Sequence, residues 1–169
     1  TDLPAGIKFP VLTNGSNIFF ANTINTARYS QLLIDMASSN PNNGVTFSGG
    51  DSKYNAAGKA ARDILTSSPR NWTITDGGIS DAGLFISTFG ITNPTEIGAI
   101  EKLVDDLKVG TINGTDNWTN AKGIYPCLTQ DVATSKGNLR NPSLNMLSVN
   151  GDAALDTKGI SFNGSDTYN

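Results

Sequence analysis

The sequence predicts an α/β fold: a short solenoid of helix–strand units with parallel strands, followed by a helical connector and the start of a β-rich domain. Two observations predict the solenoid. An amphipathic helix pattern that begins near Tyr29 recurs 28 residues later, at Ala57. A strand pattern at residues 45–47 recurs 27 residues later, at 72–74, and the same step backwards reaches residues 18–20. Strands at one spacing, joined by helices, stack as a parallel sheet in repeat proteins.

Both predicted helices carry one apolar stripe with the 3.6-residue period of a core-facing helix. The stripe of the first helix consists of Tyr29, Leu32, Leu33, Met36 and Ala37. The stripe of the second helix consists of Ala57, Ala60, Ala61, Ile64 and Leu65. The small alanines predict a thin second helix that lies close to the strands. The alternative is an ordinary α/β pair in which two helices share a pattern by chance.

Capping and breaking residues bound these helices. Thr26 is a suitable N-cap for the first helix, and Pro41 prevents its continuation. The second helix starts near Asn55, and Pro69 follows its end. The third strand is expected at residues 72–75, and a turn of Asp and two Gly follows it.

We divide the chain into three parts. Residues 1–78 are the end of a leucine-rich-repeat-like solenoid, residues 79–92 are a connector, and residues 93–169 are a helix plus an irregular segment that leads into a β-rich domain. The helix has a strong start, because Asn93 can cap it, Pro94 fits the first position and Glu96 completes a capping box. We expect the β-rich domain to be incomplete and the chain to be a piece of a longer protein.

The connector is the candidate site for contacts between chains. It carries four large apolar side chains in a segment without a clear helix or strand pattern. These candidate inter-chain contact residues are Leu84, Phe85, Ile86 and Phe89.

The sequence predicts no catalytic residue, no metal ligand and no cofactor site. It contains no histidine, which removes the usual Ser-His-Asp chemistry and every imidazole metal site. Asp76 precedes two glycines as in some calcium loops, but the alternating acidic positions of an EF-hand are missing. Acidic residues at 101, 105 and 106 are interpreted as solvated charge on a helix. Trp118 is interpreted as core, with a sugar-stacking platform shared with Tyr125 as the alternative.

Composition narrows the classes of partner. The chain has 12 basic and 15 acidic residues, a net charge of −3, and no basic cluster of the kind that binds nucleic acid. No apolar run approaches the length of about 20 residues that spans a bilayer. We therefore expect neither nucleic-acid binding nor membrane insertion.

The segment from Asn25 to Gly78 resembles the closing unit of BspA-like leucine-rich-repeat proteins. The residues that carry the resemblance are YSQLLIDMA, then GVTFSGGDSKYNAAGKAARDILTS, then NWTITDGG. Such repeats occur on bacterial surface adhesins and in large bacteriophage structural proteins. Residues 97–128 and the later GNLRNPSLNMLSVNG look like a segment of phage virion proteins, in which a helix and an aromatic-rich stretch precede a lectin-like β domain.

The resemblance implies a non-enzymatic structural component of a bacteriophage virion: a tail fibre, a tail appendage or a capsid-surface fibre. The implied partners are other virion proteins and further copies of the chain in a homo-oligomer, with a host-surface glycan or protein as an additional partner. The implied location is the extracellular virion. The alternative is a fragment of a leucine-rich-repeat adhesin on a bacterial cell surface.

Overall fold

The structure, a computed structural model, describes residues 6–19, 21–112, 115–126 and 137–143, together with the backbone of four short strands between 149 and 168. The chain divides into two compact units, Thr1–Ser80 and Asp81–Asn169.

Unit 1 is an α/β unit in which three parallel strands alternate with two helices. Its elements are β1 (Asn14–Gly15), α1 (Thr26–Ser39), β2 (Thr46–Ser48), α2 (Ala56–Thr66) and β3 (Thr73–Thr75). The strand order is β1-β2-β3, and both pairings are parallel. We call a strand with the helix that follows it a layer. Within the described residues the sheet has three strands, and the predicted solenoid is not detected there.

The predicted register is confirmed for β2 and β3 and wrong for β1. Thr46 lies opposite Thr73, which is the 27-residue step found in the sequence. The first strand, however, pairs Asn14 with Thr46, so it lies before the predicted residues 18–20. A turn follows β1, because the Ile18 N–H donates to Gly15 O at 3.2 Å. Phe19 then contributes its side chain and not its backbone to the sheet, with its ring edge-on to Phe47.

The other two residues of the predicted first strand are Ile18 and Phe20. Ile18 is 42% exposed, and Phe20 lies outside the described residues. The apolar run at 18–20 was therefore mistaken for a strand, since Phe19 packs on the core without pairing.

The apolar stripe of α1 is confirmed, and that of α2 is rotated from the prediction. Tyr29, Leu32, Leu33 and Met36 are buried in the core of unit 1. On α2 the buried residues are Gly58, Ala61 and Leu65, whereas the predicted residues Ala57, Ala60 and Ile64 are exposed. Gly58 explains the rotation. A Cβ there would meet Ser30 Oγ at 2.8 Å, so the glycine lets α2 approach α1 closely.

Asparagine caps the three longest helices. The side chains of Asn25, Asn55 and Asn93 accept from the backbone N–H groups of Ala27, Gly58 and Thr95. Asn25, and not the predicted Thr26, is thus the N-cap of α1. The predicted start of α2 near Asn55 and the predicted cap of α4 at Asn93 are confirmed. Each such cap stabilises its helix by about 1 kcal/mol.

Successive layers of unit 1 are linked by side-chain hydrogen bonds at the corner that precedes each strand. The amides of Asn40 and Asn42, before β2, donate to Leu12 O at 3.0 and 3.1 Å. Before β3, the Arg70 guanidinium donates to Asn40 O at 2.6 Å, and Trp72 Nε1 donates to Asn42 O at 2.8 Å. The corner contact therefore repeats from one layer to the next.

Unit 2 begins with helices that pack on one another. Its elements are α3 (Asp81–Thr88), α4 (Pro94–Val109), β4 (Thr111–Ile112), β5 (Thr115–Asp116) and α5 (Asn117–Asn120). The predicted connector at 79–92 thus contains a regular helix. The start of α3 lies beside the end of α4, where Lys108 pairs with Asp81 at 2.5 Å. Buried apolar residues of this unit are Ala82, Phe85, Ile86, Ile91, Ile100, Val104, Trp118 and Leu139.

Four short strands follow in two antiparallel pairs. β6 (Val149–Asn150) pairs with β9 (Thr167–Tyr168), and β7 (Ala154–Asp156) pairs with β8 (Gly159–Ser161). These strands lie in the segment that was predicted to lead into a β-rich domain.

Candidate functional site: the two edges of the parallel sheet

The outer edge of β3 is the first of the two outer edges of the sheet in unit 1. The Thr73 N–H donates to Val45 O at 2.9 Å, and Thr75 O accepts from the Gly49 N–H at 2.8 Å. Thr73 and Thr75 therefore turn their backbone groups towards β2. Backbone groups alternate sides along a strand, so Ile74 turns its N–H and C=O outward. Outward groups of this kind form a template for another strand.

Helix α2 makes two contacts with the segment that forms this outer edge. The Arg62 side chain donates to Ile74 O at 2.9 Å. One turn further along α2, Leu65 O accepts from the Trp72 N–H at 2.9 Å. Two of the outward backbone groups of the β3 segment are thus bonded to the helix that precedes them.

Asp76, just after β3, holds the Arg62 guanidinium in place. Its Oδ2 accepts from Arg62 Nε at 2.9 Å and from the Tyr29 hydroxyl at 2.9 Å. Its Oδ1 accepts from the Gly78 N–H at 3.1 Å. The side chain of Asp76 is 2% exposed and that of Arg62 is 23% exposed. We call Arg62, Asp76 and Tyr29 the edge lock, because they join α1, α2 and the end of β3.

The electrostatics of the edge lock favour fixed protonation states. Burial raises the pKa of Tyr29, and the negative charge of Asp76 raises it further. Burial acts to lower the pKa of Arg62, but the hydrogen bond and charge of Asp76 outweigh it, so the pKa is raised. Both shifts move the groups further from neutral pH. The cluster is thus suited to holding structure, since proton transfer requires a pKa near the working pH.

The outer edge of β1 is different. No strand among the described residues pairs with it. Val11, three residues before β1, is 83% exposed, and Ile18, just after it, is 42% exposed. The stretch from residue 9 to residue 19 contains no charged side chain. One sheet therefore has an edge covered by a buried ion pair and an edge flanked by exposed apolar residues.

The four candidate inter-chain residues have different environments within unit 2. Phe85 and Ile86 are 0% and 2% exposed. Phe89 is half-buried, with its ring 4.7 Å from that of Phe85, and both rings lie against Gly137. Leu84 is 41% exposed. Since α3 turns two of the four inward, Leu84 is the member whose side chain is most available to another chain.

The interpretation of Trp118 as core is confirmed. The side chain is 5% exposed, and the cations of Lys108 and Arg140 lie 5.5 and 5.1 Å from its ring centre. This burial leaves no open ring face for the alternative, a sugar-stacking platform.

The acidic residues singled out in the sequence differ in their surroundings. On α4, Asp106 is exposed and pairs with Lys102 at 2.7 Å, as expected for a solvated helix face. Asp76 is instead the buried anion of the edge lock. Among the described residues, no three of His, Cys, Asp and Glu come together where they could hold a metal ion.

Sequence reasoning did not find the edge lock. It placed Tyr29 in the core, left Asp76 in a turn and assigned nothing to Arg62. The available signal was a single arginine beside Ala61 on the inner side of a helix, with an aspartate directly after the next strand.

Comparison with protein-family models, with curated proteins and with solved structures found no match for the chain. No helix in the described part of the chain has the length and apolar character required to cross a bilayer.

Proposed function

We propose that the chain is a non-enzymatic structural component of a bacteriophage virion, in a tail fibre, a tail appendage or a capsid-surface fibre. Unit 1 is proposed to be the closed end of a short leucine-rich-repeat-like solenoid. Other virion proteins and further copies of the chain are its proposed partners, and a host-surface glycan or protein is the proposed target of a domain that it carries.

The observation that carries the structural role is the difference between the two sheet edges. A stack of layers needs a terminal unit that ends the sheet on one side and continues it on the other. The edge lock covers the β3 side, and the β1 side is open in the described residues. An ending unit of this kind serves assembly. The assignment to a virion depends on the resemblance of residues 25–78 and 97–128 to phage proteins.

The proposed contact between copies involves unit 2. Leu84 on α3 is 41% exposed and Val109 at the end of α4 is 83% exposed. The ion pair between Asp81 and Lys108 joins the start of α3 to the end of α4. Leu84 follows Asp81 by three residues, and Val109 follows Lys108 directly. Leu84 is the exposed member of the predicted inter-chain residues, and Val109 is an addition to that set.

Immunogold electron microscopy tests the virion assignment. Antibodies raised against the chain are applied to particles from the genome that encodes it, and to the host cells. We expect label on fibres or appendages of intact particles. Label on the bacterial surface without label on particles would overturn the proposal and favour an adhesin. Portal, capsid and tail genes beside the coding sequence provide an independent check.

A further inference from the structure

We propose that Arg62 acts as a gatekeeper that prevents the sheet of one copy of the chain from continuing into the open edge of a second copy. The partner that it excludes is thus the β1 edge of another copy. This inference builds on the open β1 edge of the proposed function, but it does not depend on the virion assignment.

The two edges match in strand direction. All three strands are parallel, so placing the β3 edge of one copy beside the β1 edge of another would continue the same parallel ladder. Such a contact is heterologous, because it joins different surfaces of the two copies. A heterologous contact that does not close into a ring generates an open stack.

The backbone groups also match. On the β3 side, Ile74 turns its C=O outward. On the β1 side, Val45 O already accepts from β3, so Thr46, the next residue of β2, turns towards β1. Asn14 lies opposite Thr46. In a parallel pair only one of two opposed residues bonds across the gap, so Asn14 presents its backbone outward. The Ile74 C=O of one copy would therefore meet the Asn14 N–H of the other copy.

Protection of the two edges is complementary. Edge strands are commonly protected by charge, proline or a covering element. The stretch around β1 has no charged residue, whereas β3 is blocked by the guanidinium that Asp76 holds. A head-to-tail contact requires both edges, so blocking one of them is sufficient. The chain can then join a stack through β1 but cannot extend it beyond β3.

The test uses R62M/D76N, which removes both ions so that no unpaired charge remains buried. Methionine retains the apolar stem of Arg62. Asparagine can accept from the Gly78 N–H through Oδ1, and its amide N–H can donate to the Tyr29 hydroxyl oxygen. Sedimentation velocity is measured over a range of concentrations, and folding is checked by circular dichroism and thermal melting. We expect species larger than those of the parent, with a mean size that grows with concentration.

Two further variants control the geometry. Lys59 lies on the same helix as Arg62, with a 43% exposed side chain and a surface partner, Asp63, so K59M removes a cation without opening the edge. We expect K59M to sediment as the parent does. N14P removes the outward N–H of β1, and adding it to R62M/D76N should return the sedimentation profile to that of the parent.

The outcomes that overturn the inference are specific. A folded R62M/D76N that sediments as the parent does would overturn it. Oligomers that persist when N14P is added would also overturn it, because the contact would then not use the β1 edge. If R62M/D76N does not fold, R62K replaces it. Lysine retains the ion pair but cannot span Asp76 and Ile74 O as the planar guanidinium does, so a parent-like profile for folded R62K counts against the inference. None of these results depends on where the label falls in electron microscopy.

Discussion

The two edges of the parallel sheet are both formed by short parallel strands, but they differ in what covers them. β3 is covered by contacts from α2, the helix that precedes it, and its Arg62 contact is fastened by a buried carboxylate. β1 is two residues long, and no described strand covers its outer side. The comparison teaches that neither edge is determined by its own strand sequence. The closed edge is made by a side chain of the neighbouring helix, so a change on α2 can alter the exposure of β3.

The largest expected effect is the loss of the buried anion at the closed edge. Asp76→Ala leaves Arg62 and the Tyr29 hydroxyl without their shared acceptor, and breaking a buried pair in this way costs about 3–5 kcal/mol. We expect urea denaturation to show a loss of about 4 kcal/mol in the free energy of unfolding. Asp63→Ala, which removes a carboxylate that is 55% exposed, should change it by about 0.5 kcal/mol or less. Equal losses for the two variants would contradict the edge lock.

The second effect concerns the turn after β2. Gly50 has φ +61°, and a Cβ there would clash with the backbone carbonyls of Asn22 and Phe19. Gly50→Ala should therefore combine the strain of a left-handed residue with a clash against backbone, for a loss of about 3 kcal/mol.

Gly44→Ala is the matched control for Gly50→Ala. Gly44 has φ +66° and no atom within 4 Å of an added Cβ, so the strain alone should cost about 1 kcal/mol. The measurement is the midpoint of urea unfolding for both variants. A Gly50→Ala variant as stable as Gly44→Ala would show that the 19–22 loop does not lie against Gly50.

The third effect is a dependence on alkaline pH. The pKa of Tyr29 is raised above its ordinary value of 10.0 in the folded chain, so the unfolded chain loses this proton first. The stabilisation is complete below pH 10 and is lost as the pH rises further, by about 1.4 kcal/mol per pH unit. Tyr29→Phe lacks this term but retains the other tyrosines. We expect the stability difference between parent and variant to shrink by about 1 kcal/mol from pH 10 to pH 11, because half of the unfolded chains have already lost this proton at pH 10. Parallel curves would refute the role of Tyr29.

The smallest effect is expected beside the open edge. Val11 is 83% exposed, whereas Val45, just before β2, is 1% exposed. Val11→Ser should change the free energy of unfolding by about 0.5 kcal/mol or less, and Val45→Ser should lower it by about 3 kcal/mol. Thermal melting of both variants is the measurement. A large loss for Val11→Ser would mean that the open edge is covered within the chain.

The sequence was sufficient to predict the elements with strong local signals. The apolar stripe of α1 and the start of α4 at Asn93 follow from periodicity and capping, and the 27-residue step predicted the pairing of β2 with β3. The stripe and the cap depend on residues that are neighbours along the chain, and the strand pairing depends on a pattern that recurs along it. The helical content of residues 81–88 was missed because α3 is apolar on several sides, which obscures the 3.6-residue period.

The errors and omissions come from contacts between distant residues. The buried face of α2 depends on the approach of Gly58 to Ser30. The first strand was predicted at the wrong residues because Phe19 packs on Phe47 without pairing. The edge lock joins residues 29, 62 and 76. Nothing in the local pattern of any one of these residues identifies the other two, so the closed edge could not be derived before the layers were placed together.

The corner bonds before β2 and β3 have a direction that bears on synthesis. In each case a side chain that is made later donates to a carbonyl that is made earlier: Asn40 to Leu12, and Trp72 to Asn42. Until the donor is made, the backbone carbonyl can bond to water at little cost in free energy, since carbonyls without a protein partner are tolerated better than N–H groups without one. During synthesis from the amino end, each acceptor carbonyl thus emerges from the ribosome before the side chain that donates to it.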